Sequence, residues 1–327
     1  MGKNSFPVGF TCPVCGSPAH QFNRSYSMSS NLDGNMRHNY WLYRCSQCGM
    51  GITYPQPNGS KLDNYYRTSI YKKSDGLISS FAEWFLDYLQ NWRLHEIEAL
   101  CSPAGGKLLD VGCGKGRFIA HATLHGWDAQ GADPSSAQVA AARNHYHVQV
   151  FKGDLPALNS TDSSFRVLTA WHSLEHMSDP HEFMDEVHRI LEPQGLFVLE
   201  VPNVDSWQSK ISQGRWFQLD APWHLGHYSI KAMHHLLDEH DFSPIRLETF
   251  SWLEPFAMLQ SILNCTGLSP NWLYNWFKYP RFEKQVIPLF LNMLGAALLS
   301  APAAALELLS SLTNQYGGVI RVYARKK

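Results

Sequence analysis

Charge is scarce in this chain of 327 residues: Asp, Glu, Lys and Arg make up only 17%. The 27 basic residues are matched by 28 acids, so the formal net charge is −1. That balance leaves out the electropositive footprint of a nucleic-acid binder. With 44% hydrophobic residues the chain has enough apolar side chain for a full core, which argues against wholesale disorder. Internal repeats and low-complexity tracts are also missing. The opening MGKNSFPVGF has no apolar stretch of the kind export requires, and Phe6 stands where a myristoylation signal carries Ser or Thr. A reducing, cytoplasmic location is expected.

What the chain does have is 16 histidines, nine of them between His172 and His240, and seven cysteines in an uneven arrangement. Cys101, Cys113 and Cys265 stand alone, whereas TCPVCG and YRCSQCG form two Cys-x-x-Cys pairs. A two-residue spacer lets both thiolates of a pair face one ion, and two pairs complete a tetrahedron. Cys12, Cys15, Cys45 and Cys48 are therefore expected to hold a structural Zn²⁺ in an N-terminal zinc ribbon. The tip of its hairpin would fall around Asn31–Asn35. A redox dithiol or unpaired core cysteines are the alternatives. Substrate positioning suits such a ribbon better than nucleic-acid binding, given the charge balance.

Residues 107–118, KLLDVGCGKGRF, carry the strongest signal. An apolar strand ends at Asp110, a glycine loop follows, and a helical pattern begins. Dinucleotide loops have Gly-x-Gly-x-x-Gly. Here the spacing is Asp-x-Gly-x-Gly-x-Gly, with Arg at position 117. This pattern resembles motif I of class I S-adenosylmethionine-dependent methyltransferases. Further strands end at Asp133, whose carboxylate suits a vicinal diol, and at Gly153-Asp154-Leu155. A fourth runs from Phe165 into Trp171-His172-Ser173-Leu174-Glu175-His176, and a fifth covers Gly195–Asn203. Strand–helix alternation at this spacing predicts a parallel sheet with helices on both faces and the ligand at the C-terminal strand ends.

The resemblance covers nearly the whole chain. It implies an α/β fold with a Rossmann-like, seven-stranded, mostly parallel sheet whose last strand is antiparallel. It also implies a pocket for S-adenosyl-L-methionine built from Asp110, Gly112, Gly114, Gly116, Asp133, Asp154, Leu155 and Trp171. Taken one by one, Asp133 and Asp154 also read as helix caps. The pattern is similar to bacterial methyltransferases with a Cys₄ ribbon that act on sugars and cell-envelope polysaccharides. The segment after strand four also resembles the ubiquinone-pathway O-methyltransferases, which have Glu-x-x-Glu-His there. In this chain it is His172-x-x-Glu175-His176, so one acidic metal ligand of that family is a histidine, and no catalytic metal is carried over. The same letters match a protease motif, His-x-x-Glu-His, in the wrong structural context.

Residues 215–229, RWFQLDAPWHLGHYS, resemble a pocket-lining segment of the same bacterial group. Arg215, Trp216, Asp220, His224 and His227 are candidates for an acceptor site, with Ser229 as the N-cap of the next helix. Transfer from an activated sulfonium needs an acceptor held in line and a base. The order of candidates is His224, His172, His176, His227. For His176 a packing or capping role stands beside the catalytic one.

Five regions follow: ribbon 1–60, helical connector 61–100 with Tyr65, Tyr66, Trp84 and Tyr88 as candidate cofactor cover, core 101–250, apolar insertion 251–316 and final strand 317–327. Residues 285–306 contain no charge and are long enough to span a bilayer. A single span is excluded if the last strand rejoins the sheet, and Pro288, Gly295 and Pro302 point to short, broken helices. The aromatic and basic residues from Trp272 to Lys284 suit a membrane interface. A monotopic membrane contact at the inner face of the cytoplasmic membrane and a buried lid or homodimer face remain open. The expected acceptor is a sugar, nucleotide-sugar or lipid-linked glycan, and no nucleic acid is expected. RNA methylation and a catalytically silent adaptor are the competing functions.

Overall fold

The computed structural model describes Phe6 and residues 9–29, 39–56, 77–266, 271–278 and 286–327. The expected ribbon tip at Asn31–Asn35, and Tyr65 and Tyr66, lie outside them. Three strands come first: β1 (Phe22–Ser29), β2 (Asn39–Cys45) and β3 (Gly51–Tyr54), followed by helix α1 (Leu77–Glu98). Alternation then begins with β4 (Lys107–Val111), α2 (Arg117–Leu124), β5 (Asp128–Asp133), α3 (Ser136–Tyr146) and β6 (Gln149–Lys152). It continues through β7 (Phe165–Trp171), α4 (Pro180–Ile190), β8 (Leu191–Pro202) and α5 (Trp207–Ser212). After β9 (Gly226–His227) come α6 (Ile230–Glu239) and β10 (Phe242–Glu248). Helices α7 (Glu254–Cys265), α8 (Trp272–Lys278) and α9 (Val286–Ser311) precede the closing strand β11 (Val319–Lys326).

Seven strands form one sheet in the order β10-β11-β8-β7-β4-β5-β6. All pairings from β8 to β6 are parallel, and only β11 runs against its neighbours β8 and β10. The expected sheet with an antiparallel last strand is what the chain forms. Alternation along each strand sorts its side chains between two helical layers. Leu108, Val167, Leu196 and Val198 meet Leu94 and Ile97 of α1 and Phe118 and Ala122 of α2. Their neighbours Leu109, Leu168, Phe197 and Leu199 face Phe183, Met184 and Val187 of α4 and Leu236 of α6. Helix α4 starts where it does because Asp179 accepts hydrogen bonds from the amides of His181 and Glu182, with Pro180 in the first turn.

The N-terminal strands do not stand apart. A second sheet has the order β1-β2-β3-β9, so a two-residue strand from the core segment closes the ribbon, with Gly51 opposite His227 and Ile52 opposite Gly226. Ribbon residues Val14, Tyr43 and Ile52 belong to the same hydrophobic cluster as α4 and α6.

The insertion between β10 and β11 packs α7 against α9 through Met258, Leu263, Trp272 and Ala303. Here the broken-helix expectation fails, because α9 is one continuous helix of 26 residues with Pro302 inside it. Pro288 lies in its first turn, where an amide has no helical partner to lose. Gly295 approaches α7 closely: a Cβ there would be 2.9 Å from Leu263. The stretch Phe290–Ser311 is long and apolar enough to cross a membrane, and only 17% of it is buried, so it is not a core helix. The chain then re-enters the sheet as β11.

One buried carboxylate joins three layers. Glu200 of β8 is fully buried, accepts Nη2 of Arg93 from α1 at 2.8 Å, and accepts Nε of Arg321 from β11 at 2.6 Å. Removing one partner of a buried pair strands the other charge in a low-dielectric interior. Arg321→Met is expected to lower the unfolding free energy by about 3 kcal/mol or more, read as a shift of the urea midpoint; a midpoint within error of wild type would refute this account of the core.

Candidate active site

The sequence at the end of β4 turns back on itself because its glycines permit it. Gly112 has φ +72°, and a Cβ on it would sit 2.1 Å from Oγ of Ser173. Gly116, at φ +78°, starts α2, and a Cβ there would meet Val148 and Ala142 at 2.7 and 3.0 Å. The close approach at Gly112 matters most, since Ser173 donates to the carbonyl of Val111 at 2.9 Å and so ties the loop to the turn after β7.

Around this loop stand the acids expected from the sequence. Asp110 is buried and accepts from Oγ1 of Thr169 at 2.7 Å. Burial pushes its carboxyl up to about 7, against the pull of the Thr169 hydrogen bond and the Arg93 charge. Asp133 receives the Gly114 amide at 2.9 Å and the Ser135 amide at 2.8 Å, bracing the loop against β5, while burial raises its pKa. Asp154 caps the turn after β6 by accepting from the amide of Ala157 at 3.1 Å, beside buried Leu155. Neither acid is a helix N-cap: Ser135 caps α3, and the acids bind loop and turn amides instead. Trp171 ends β7 with the Arg93 guanidinium 4.1 Å above its ring, Phe118 against its edge, and its Nε1 without a hydrogen-bond partner. Because β6, β5, β4 and β7 are adjacent, these groups share the C-terminal edge of the sheet.

Next to the loop lies the histidine cluster. His172 takes the left-handed conformation, φ +49°, at the end of β7, and a short 3₁₀ turn carries Glu175 and His176. Nδ1 of His172 is 3.4 Å from Glu175 and Nε2 is 3.1 Å from Glu200. Burial opposes a charge on His172, but the two carboxylates outweigh it and raise its pKa to about 10. It is an imidazolium at neutral pH. His176 donates from Nδ1 to the carbonyl of Trp223 at 2.9 Å, and His224 donates from Nδ1 to the carbonyl of Gln218 at 2.7 Å. Those bonds set both tautomers and leave each Nε2 a bare lone pair. Burial, then the neighbouring His176, keeps His224 below the usual histidine range.

Both oxygens of Glu175 are buried without a hydrogen-bond partner, and one of them lies 4.0 Å from Nε2 of His224. Ligand atoms of Glu175, His176 and His224 all fall within 4.8 Å of one another. His227 stands behind them. Thr53 donates to the carbonyl of His224 at 2.7 Å, so at 2.9 Å the Thr53 oxygen takes the Nε2 proton of His227. Desolvation and repulsion from His224 and Arg44 lower His227 to about 3.

Two other expected pocket residues make their hydrogen bonds away from the cluster, and a third faces solvent. Arg215 donates to the carbonyl of Cys265 at 3.1 Å, Trp216 to Gln208 at 3.3 Å, and Asp220 is exposed. Trp84 and Tyr88 of α1 stack on each other at 6.1 Å with their rings largely exposed. Arg93, Glu200, Arg321 and Thr53 were not foreseen. A single acid inside the apolar run LFVLEVP was a visible signal for Glu200; its partners come from remote elements and left none.

At the ribbon, Sγ of Cys12 is 3.6 Å from Cys48, and Sγ of Cys15 is 3.7 Å from Cys45. A tetrahedron with metal–sulfur bonds of about 2.3 Å has edges of about 3.8 Å, so the four thiols fit one ion.

Residues 85–247 match the family model of a methyltransferase domain. With this sheet order and glycine loop, the core is a class I S-adenosylmethionine-dependent methyltransferase domain. The chain is 34% identical over 104 residues to a probable S-adenosylmethionine-dependent methyltransferase of Mycolicibacterium smegmatis, covering 31% of this chain and 39% of that protein. It is 31% identical over 110 residues to a ubiquinone biosynthesis O-methyltransferase of Nitrobacter winogradskyi, covering 32% and 42%. The chain thus spans less than half the length of these relatives. Among solved structures, phosphoethanolamine N-methyltransferase 2 of Haemonchus contortus, in complex with S-adenosyl-L-methionine, shares the fold at 15% identity. Its TM-score is 0.50, covering 93% of this chain and 68% of that one.

Gly112→Ala is expected to abolish binding of S-adenosylmethionine, measured by calorimetry, because the new methyl group displaces Ser173. The double variant Gly112→Ala, Ser173→Ala removes the clash but keeps the positive φ, so recovery should be partial; full recovery would contradict a conformational role for this glycine.

Proposed function

We propose that this protein transfers the methyl group of S-adenosylmethionine to an oxygen or carbon of a sugar or glycan intermediate, with His224 as the base. The observation that carries the reading is the pair of bare Nε2 lone pairs, on His224 and His176, beside buried Glu175, on a turn that Ser173 ties to the glycine loop. Bound in that loop, the cofactor supplies an activated methyl group on a positively charged sulfur. The chain's own groups then have three tasks. Gly112, Gly114, Asp110 and Asp133 hold the donor at the strand ends. His224, neutral at working pH, takes the acceptor's proton at Nε2 and leaves the nucleophile in line with the methyl carbon. His172, held as an imidazolium between Glu175 and Glu200, orients Glu175 and is too weakly basic in its charged form to serve as the base.

The sugar or glycan class rests on the likeness to ribbon-bearing bacterial sugar methyltransferases. The exposed apolar face of α9, with Phe290, Leu294, Leu298 and Leu309, supports an acceptor at a lipid surface. A structural Zn²⁺ on Cys12, Cys15, Cys45 and Cys48 belongs to the same reading, with the ribbon positioning His227 through the β3–β9 pairing. The chain lacks a basic charge excess of the kind RNA methylation needs. The acids and glycines of the loop argue against a silent adaptor.

A second reading of the cluster is favoured by the unpartnered oxygens of Glu175: Glu175, His176 and His224 fit a divalent cation that would polarise the acceptor oxygen.

The test supplies methyl-labelled S-adenosylmethionine with separated soluble and membrane extracts of the host. Label is expected in a lipid-extractable glycan with the wild type, none with Asp110→Ala, and a loss of about 10²-fold or more with His224→Ala. Label confined to a soluble nucleotide-sugar pool would refute the lipid surface. No mutant-sensitive label in either extract would refute the acceptor class. Activity that returns only when Mg²⁺ or Mn²⁺ is restored after chelation would favour the cation over the base.

Cofactor affinity should also depend on pH. The cofactor's ammonium and sulfonium charges favour ionised Asp110, whose carboxyl is neutral below about 7. Affinity is therefore expected to fall by up to about tenfold per unit below pH 7 and level off above it. Asp110→Asn should flatten the profile in calorimetry from pH 6 to 8.5.

A further inference from the structure

We propose that His95, Glu98 and His125 form a metal site for a transition-metal dication of the zinc class, where α1 crosses α2. His95 and Glu98 lie three residues apart on α1, so they share one helix face. His125 follows the last residue of α2 and meets them there. Nδ1 of His125 is 3.0 and 3.3 Å from the two oxygens of Glu98, and Nδ1 of His95 is 3.7 Å from Glu98. The three ligand atoms lie within 4.8 Å of one another. A tetrahedral site with metal–ligand bonds of about 2.0–2.1 Å has edges of about 3.4 Å. Two of these separations bracket that value.

The hydrogen bonds around the site orient its groups toward one another. The side-chain oxygen of Asn91 is 2.9 Å from Nδ1 of His121 and 3.3 Å from Nε2 of His125. An amide oxygen only accepts, so the Nε2 of His125 carries the proton. Its Nδ1 faces the Glu98 carboxylate at 3.0 Å. With a dication held between Nδ1 and that carboxylate, the Asn91 bond becomes the outer contact that orients a ligating imidazole. Glu98 is oriented in turn by Nε1 of Trp127 at 3.4 Å. His95 is 71% exposed at its side chain, while Glu98 and His125 are about one-fifth exposed, so an ion can enter and keep water as its fourth ligand.

The site would fasten the C-terminal ends of two helices that matter to the pocket. Helix α1 carries Arg93, which holds Glu200 and covers Trp171. Helix α2 begins at the glycine loop, and its Arg117 already pairs with Asp87 of α1 at 2.8 Å. A bound dication adds a further clasp between the same helices.

The test titrates Zn²⁺, and separately Co²⁺, into the full chain and counts bound metal after gel filtration. Wild type is expected to bind one dication per chain more than His125→Ala. His95→Ala, whose exposed side chain is not needed for folding, should weaken that ion by at least about tenfold. Glu98→Gln should act similarly, and the Co²⁺ difference spectrum of wild type minus either variant should show tetrahedral absorption bands from this site. Metal bound at the cysteines or at Glu175 is common to all these proteins and cancels in the comparison. Circular dichroism identical to wild type shows that a variant is folded. Equal metal content and affinity in wild type, His95→Ala and Glu98→Gln would overturn the proposal.

Discussion

Glu200 sits where three requirements meet. It is a carboxylate in the middle of the sheet, inside the apolar run LFVLEVP of β8, and it survives there because Arg93, Arg321 and His172 surround it. Arg93 belongs to the helix ahead of the sheet, Arg321 to the closing strand, and His172 to the turn at the site. A charge buried this deeply is tolerated only when its partners are all in place. Connector, last strand and active-site turn are therefore coupled through one side chain. The same carboxylate helps keep His172 charged, which in turn holds Glu175 ionised beside His224.

The ribbon is bound to the core by a similar economy. Strand β9 has only two residues, yet it completes the ribbon sheet and carries His227, while Thr53 of β3 reaches the carbonyl of His224. Backbone pairing between the two modules thus sets the position of the segment that supplies two histidines. Ser229, capping α6, also donates to the carbonyl of Cys48, so the second cysteine knuckle and the helix after the site share a hydrogen bond. Loosening the knuckle would move the site segment directly.

Much of this was legible in the sequence where the relevant physics is local. Strand boundaries in the core follow apolar runs that end in turn residues, and the observed strands fall within a few residues of them. The glycine loop announced itself by spacing, because left-handed backbone and close approach leave few residue types able to serve. The two Cys-x-x-Cys pairs predicted four thiols around one point, and they converge. Helix α9 was misjudged at Pro288 and Pro302. A proline in the first turn costs a helix nothing, and an alanine- and leucine-rich helix packed on α7 carries the second one.

By itself the sequence determined the class of domain, the parallel sheet that its alternation implies, the glycine loop and the cysteine cluster. These depend on residues a few positions apart, whose geometry is set by backbone rules. Only the tertiary structure decided the state of each histidine. His172, His176, His224 and His227 look alike in the sequence, yet one is a cation, two offer bare lone pairs, and one is locked neutral behind Thr53. Those differences come from carboxylates, carbonyls and burial supplied by β3, β8 and the loop before β9. Long-range contacts set them, and no spacing along the chain records which groups will meet.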